Sequence, residues 1–152
     1  MPSLNRILSV FLVTITLLLA GCATSGGEAT NKSGKPDLSQ TLYLRGMFTW
    51  WDADDAYKVQ RVGEDLYKAT AKLEADGQPY EFKFADASWS PGTNCGFLNP
   101  EDKEVELGRK LMANCSSKFE NFYFIPEETA EYEFYFDDSG ETPVVYVQKA
   151  ES

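Results

Sequence analysis

The chain has no histidine among its 152 residues. That removes the commonest general acid–base side chain and a principal zinc ligand. Ser88 and Ser90 lack the strand–turn–helix context of a nucleophile elbow. Carboxylates are plentiful, with 24 Asp and Glu, and glycoside hydrolysis needs only two. So high a density makes some acidic pair inevitable, however, and a domain this small rarely encloses a deep cleft. We therefore expect no enzyme activity, no catalytic residue, no metal site and no cofactor. Basic residues are scarce as well: 14 Lys and Arg leave a net charge of −10. Such a chain lacks the basic face that nucleic-acid phosphates require, and charge will not dock it on anionic lipid. The acidity is read as a solubility device.

Long apolar runs are also missing. Ile7 to Leu19 is 13 residues long, against the ~20 needed to cross a bilayer. With Arg6 in front it reads as a secretory signal. The small-x-small ending of an ordinary signal is absent. Leu19-Ala20-Gly21-Cys22 stands there instead, a lipobox, so residues 1–21 are expected to be removed and Cys22 to carry diacylglycerol. Removal takes away Arg6 and no acid, leaving 131 residues with a net charge of −11. A membrane reached through a lipid anchor is thus an expected partner. Ala23, where an Asp would favour inner-membrane retention, points to the outer membrane of a Gram-negative cell.

Only three cysteines are present. With Cys22 assigned to lipid, Cys95 and Cys115 remain as a pair in an oxidising compartment, and a disulfide is expected. Its loop of about 20 residues would contribute roughly 3 kcal/mol by the chain-entropy argument.

No internal repeat occurs and no segment is a convincing amphipathic helix; Glu101 to Ala113 fits a short helix or strands equally well. Residues 22–40 are rich in Gly, Ser and Thr, without apolar periodicity, and read as an acylated Cys followed by a flexible tether with a reach of roughly 25 Å. Residues 41–149 alternate with period two between turn signals. Leu42, Leu44 and Phe48 share one face; so do Tyr67, Ala69, Ala71 and Leu73, then Tyr80, Phe82 and Phe84, then Tyr132, Phe134 and Phe136. Glu81 and Lys83 fall on the opposite, solvent face. Asn121 to Ile125 and Val144 to Gln148 add two short runs, and Ala75-Asp76-Gly77 a turn. The expected fold is all-β: an immunoglobulin-like antiparallel β-sandwich of seven or eight strands.

Asp52-Ala53-Asp54-Asp55 invites a calcium reading, but an EF-hand loop needs Gly at its sixth position and Glu at its twelfth. Tyr57 and Gly63 stand there, and a solvated acidic loop is the better reading. Asp137-Asp138-Ser139-Gly140 is read as a hairpin turn. The tryptophans carry more information. Trp50-Trp51 and Trp89 lie at strand ends beside turn residues, not in the inward phase of strands. At least one of Trp50 and Trp51 is expected to be buried. An indole face left exposed would stack on the C–H face of a sugar ring, through the negative face of its π-system.

Leu42-Tyr43-Leu44-Arg45-Gly46-Met47-Phe48-Thr49-Trp50-Trp51 resembles the opening strand and first sugar-contact loop of the starch- and glycogen-binding modules. Such modules accompany pullulanases, branching enzymes, the β subunit of AMP-activated kinase and surface starch-binding lipoproteins. Tyr80 to Trp89 resembles their second contact segment. The resemblance implies Trp51 and Trp89 as a stacking platform and Lys83 as a hydrogen-bonding contact. Asn94, in Asn94-Cys95-Gly96, resembles an Asn-rich segment of the pullulanase type. Where the family has Asn-Asn or Asn-Gly before the first Trp, this chain has Thr49-Trp50, so Trp50 stays a second candidate for the stacking role. The likeness covers residues 42–97, returns loosely over 121–147, and breaks at Leu98 to Ser117, a disulfide-bridged insertion that either covers the platform or extends it.

The resemblance implies a lipid-anchored, non-catalytic binding module for α-1,4-linked glucan: starch, glycogen or maltooligosaccharides. Two other readings stand beside it. One is an envelope lipoprotein that binds a protein partner, such as an assembly factor or a lysozyme inhibitor, its acidic surface suiting a basic partner. The other is a purely structural envelope protein. A glycoside hydrolase or another envelope protein is a further possible partner.

Overall fold

The alternating aromatic residues of the second half of the chain do pair across strands. The computed structural model of the chain describes residues 30–151. Among these there is no α-helix; short 3-10 turns connect nine strands. They are β1 (Tyr43–Gly46), β2 (Gln60–Gly63), β3 (Leu66–Leu73), β4 (Tyr80–Ala85), β5 (Gly96–Phe97), β6 (Leu111–Asn114), β7 (Phe122–Phe124), β8 (Ala130–Asp137) and β9 (Val144–Lys149). One sheet has the order β1-β4-β7, the other β2-β3-β8-β9-β6-β5, and all strand pairs are antiparallel. The molecule is an all-β sandwich, as its period-two pattern predicts. Nine strands replace the expected seven or eight. β2 is a polar edge strand, exposed along most of its length, and β5 has two residues, so neither leaves an alternating signature.

The two sheets meet through rings. Phe82 of β4 packs edge-on against Phe134 of β8, with centroids 4.9 Å apart. Phe84 meets Phe136 at 5.2 Å, and Phe124 meets Tyr132 at 4.9 Å. Burying one such side chain contributes roughly 2–3 kcal/mol. The predicted core residues Tyr67, Leu73, Phe82, Phe84, Tyr132, Phe134 and Phe136 are all buried, and Tyr80 packs partly buried against them. Phe48 packs there too, from the 3-10 turn Met47–Thr49 that ends β1. Leu42, Leu44, Phe122, Val145 and Val147 complete the core.

The Cys95–Cys115 disulfide is present. The segment it spans covers strand edges. Residues 103–105 hydrogen-bond to Tyr123 of β7, Gly108 donates to Val147 of β9, and β6 extends the larger sheet beyond β9. Of the helix-or-strand alternatives for Glu101 to Ala113, the outcome is a 3-10 turn at Pro100–Asp102 and a strand beginning at Leu111.

Residues 30–40 correct the tether expected over 22–40. They lie against the sandwich, not free of it. Asn31 is buried and donates to Asp65 and to the Tyr67 hydroxyl; Ser33 also donates to Asp65, and Lys35 to the Gly140 carbonyl. The buried Asp65 carboxylate needs donors, and a Ser- and Asn-rich segment supplies them without apolar periodicity. The signal segment, the lipobox and Cys22 lie outside the described residues.

Candidate functional site

β1, β4 and β7 have one face in the core and one turned outward. Arg45 pairs in register with Lys83. Phe82 pairs with Phe122, so continuing that register sets Asn121 beside Lys83. A polar row Arg45–Lys83–Asn121 therefore crosses the outer face of the sheet. Three loops stand over it: the one after β1, the one after β4 and the one before β7.

Arg45 organises the first two loops. Its Nε donates to the Trp51 carbonyl at 2.7 Å and Nη1 to the Asp86 carbonyl at 2.7 Å; Nη1 also reaches the Ala87 carbonyl and Nη2 that of Trp51. The guanidinium lies 3.6 Å from the centroid of the Trp89 ring, a cation–π contact. Lysine could not replace it, because the planar fork serves two loops at once. The Asp86 carboxylate accepts from the Ser88 and Ser90 amides, tightening the loop that carries Trp89. Thr49 bonds both the amide and the carbonyl of Gly46, and Trp51 donates back to the Gly46 carbonyl. Residue 46 must be glycine, since a Cβ would stand 2.5 Å from the Glu81 carbonyl oxygen.

Trp50, Trp51 and Trp89 all take left-handed backbone conformations, with φ of 54°, 61° and 55°. For a bulky residue this costs about 1–2 kcal/mol and marks a site held by its surroundings. The Trp51 and Trp89 rings stand 6.4 Å apart, tilted at 44°, too splayed to cover one another. They line one groove of about 440 Å³ together with Lys83, Asn94, Lys118, Phe119 and Asn121.

Inside that groove two polar atoms lack partners. Lys83 Nζ and Asn94 Oδ1 are buried and make no hydrogen bond among the described residues. Lys83 is only 1% exposed, which corrects the solvent-facing lysine expected from alternation. It does point to the outer side, but the overlying loops bury it. Burial pushes its pKa down to about 8, against the opposing influence of Glu120. A buried donor and a buried acceptor left open in this way cost roughly 1–3 kcal/mol each. Both belong to residues that line the groove, and they leave one donor and one acceptor there without a partner.

The structure thus gathers four sequence candidates, Trp51, Lys83, Trp89 and Asn94, into one groove. Trp50 does not line it; it is 88% exposed and Trp51 is only half-buried, so the expectation that at least one of the two is buried also fails. Both lie in a loop after β1 has ended, where no inward phase exists. Lys118, Phe119 and Asn121 are lining residues the sequence reading missed. The register of β7 could have pointed to Asn121; nothing in the local sequence marks Phe119. Of the acidic segments, Asp54 caps the 3-10 turn Asp55–Tyr57, and 138–143 connects the antiparallel β8 and β9.

The chain is similar in fold to a solved structure described as "Ligand induced structure of AmyP-SBD", with a TM-score of 0.56 and 21% identity, over 99% of this chain and 100% of that one. No family model and no curated protein matches the sequence.

Proposed function

We propose that this protein is a lipid-anchored, non-catalytic carbohydrate-binding module at the bacterial envelope. Its ligand is α-1,4-linked glucan in the form of starch, glycogen or maltooligosaccharide. The observation that carries the reading is the combination in one groove of two strained, splayed indoles with the open Lys83 Nζ and Asn94 Oδ1. A sugar offers the complement to each part: C–H faces for the rings and hydroxyls for the polar pair. Packing alone would not require tryptophan in a left-handed conformation at two sites that meet. The fold shared with AmyP-SBD, a starch-binding domain, supports the same reading.

Trp51 and Trp89 stack on the chain, Lys83 donates to a hydroxyl, and Asn94 Oδ1 accepts from one. Cys22 carries the lipid. The groove is shallow and every hydroxyl trades water for protein, so the affinity is micromolar to millimolar, roughly −8 to −4 kcal/mol. Tryptophan fluorescence titrated with maltoheptaose tests it. A saturable change, insensitive to salt because the ligand is neutral, is the expected outcome. No change up to tens of millimolar, with the protein folded, would end the α-glucan reading. A response only to a protein partner, weakening with salt, would put the protein-binding reading in its place.

A further inference from the structure

Phe119 is 88% exposed and lines the same groove as the two tryptophans. Single exposed apolar residues are ordinary. What sets this one apart is the rigidity of its support. The Glu120 carboxylate accepts from the Lys118 amide at 2.7 Å and the Phe119 amide at 3.0 Å, and Asn121 donates back to the Phe119 carbonyl at 3.0 Å. The Glu120 carbonyl accepts from Phe97 and lies where a Cβ on residue 96 would come within 1.6 Å of it, so this loop can sit down only over a glycine. Ser117 bonds the Asn94 carbonyl through both its amide and its hydroxyl. Two residues earlier, Cys115 is bonded to Cys95. The loop is therefore fastened to the segment that carries Asn94, yet its most apolar side chain is held out in water.

Trp51 and Trp89 are gathered over Arg45, on the β1 side of the row Arg45–Lys83–Asn121. Phe119 comes from the β7 side, two residues from Asn121. Phe119 thus joins both indoles and Lys83 in lining one groove, from a different strand end. A pyranose ring carries C–H groups on both faces, so a chain lying on the tryptophans has a second apolar side to offer.

We infer that Phe119 is a third aromatic contact of this site, supplied by the disulfide-tethered loop, and that it closes on the second side of the α-glucan chain. The inference rests on the α-glucan reading of the groove. It makes the segment after Cys115 part of the binding site.

The test is isothermal titration of maltoheptaose into the full-length protein solubilised in detergent, for the parent, Phe119→Ala and Phe119→Tyr. Phe119→Ala is expected to weaken binding about tenfold, and Phe119→Tyr to stay within about twofold of the parent. The melting temperature of both variants should match the parent, because so exposed a ring supports little of the core. Affinity of Phe119→Ala within twofold of the parent would overturn the inference while leaving the α-glucan reading in place. A parent that binds no maltoheptaose would overturn both.

Discussion

The outer faces of the two sheets solve the same problem in opposite ways. Each carries a lysine and a pair of large aromatic residues. On the six-stranded sheet, Lys68 reaches Glu133 at 2.6 Å, and the Tyr135 hydroxyl donates to the same carboxylate at 2.7 Å. The Tyr135 and Tyr146 rings lie parallel, 4.6 Å apart, so each covers the other. On the three-stranded sheet, Lys83 has no partner among the described residues and the Trp51 and Trp89 rings splay. One face has satisfied itself. The other leaves its two indoles uncovered by one another and its hydrogen-bonding capacity open, at a cost in stability, which is what a ligand site requires. Composition does not distinguish the two surfaces; satisfaction does.

The largest contrast should come from the rings. Trp51→Ala and Trp89→Ala are each expected to weaken maltoheptaose binding roughly ten- to hundredfold, about 1.4–2.7 kcal/mol, with a smaller loss of stability. Tyr146→Ala should do the reverse: an unfolding free energy lower by about 2–4 kcal/mol, as for loss of a large packed side chain, and unchanged affinity. Titration and denaturant melts on the same samples check both, and a Trp89→Ala variant that binds like the parent would erase the contrast.

The lysines should differ in sign. Lys83→Met removes a buried, unpartnered ammonium and is expected to stabilise the fold by about 1 kcal/mol or more while weakening binding. Lys68→Met strands Glu133 and should cost up to about 1 kcal/mol, with no effect on binding. Titration with pH separates the faces further. The Lys83 pKa is lowered to about 8, so the folded state gives up this proton before the unfolded chain does. Stability from this group therefore rises between about pH 8 and the ordinary lysine range, while binding weakens as the ammonium loses its charge. Burial and Glu133 push Tyr135 up to about 12. Its contribution is complete below the ordinary tyrosine pKa and is lost as pH climbs through 12.

The smallest effect is expected at Trp50, exposed and left-handed but outside the groove. Trp50→Gly should leave binding unchanged and stability unchanged or higher by up to about 1 kcal/mol, since glycine accepts a positive φ without strain. A clear loss of affinity would mean that the ligand extends beyond the groove.

Alternation made Phe82, Phe84, Tyr132, Phe134 and Phe136 legible as core, because a strand buried on one face repeats its side-chain pattern every second residue. It also put Lys83 on the outer side. What it could not register was that three loops close over that side and bury the ammonium. Trp51 and Trp89 were legible as strand-end tryptophans. Their meeting through Arg45 was not, since Arg45 reads locally as one more outward polar residue. The tether misled for a related reason: Asn31 and Ser33 are polar, and their bonds to Asp65 depend on partners more than 30 residues away.

The sequence by itself determined the all-β sandwich, through period-two alternation, and the Cys95–Cys115 pairing, through the cysteines left once Cys22 is assigned to lipid; its resemblance to the starch- and glycogen-binding modules pointed to four of the side chains in the groove. Only the tertiary structure decided that Lys83 and Asn94 line the groove with an unpartnered polar atom each, that Arg45 holds both tryptophan loops, and that Phe119 joins the lining. Burial and partnership are properties of segments brought together from distant parts of the chain, and no local pattern records them.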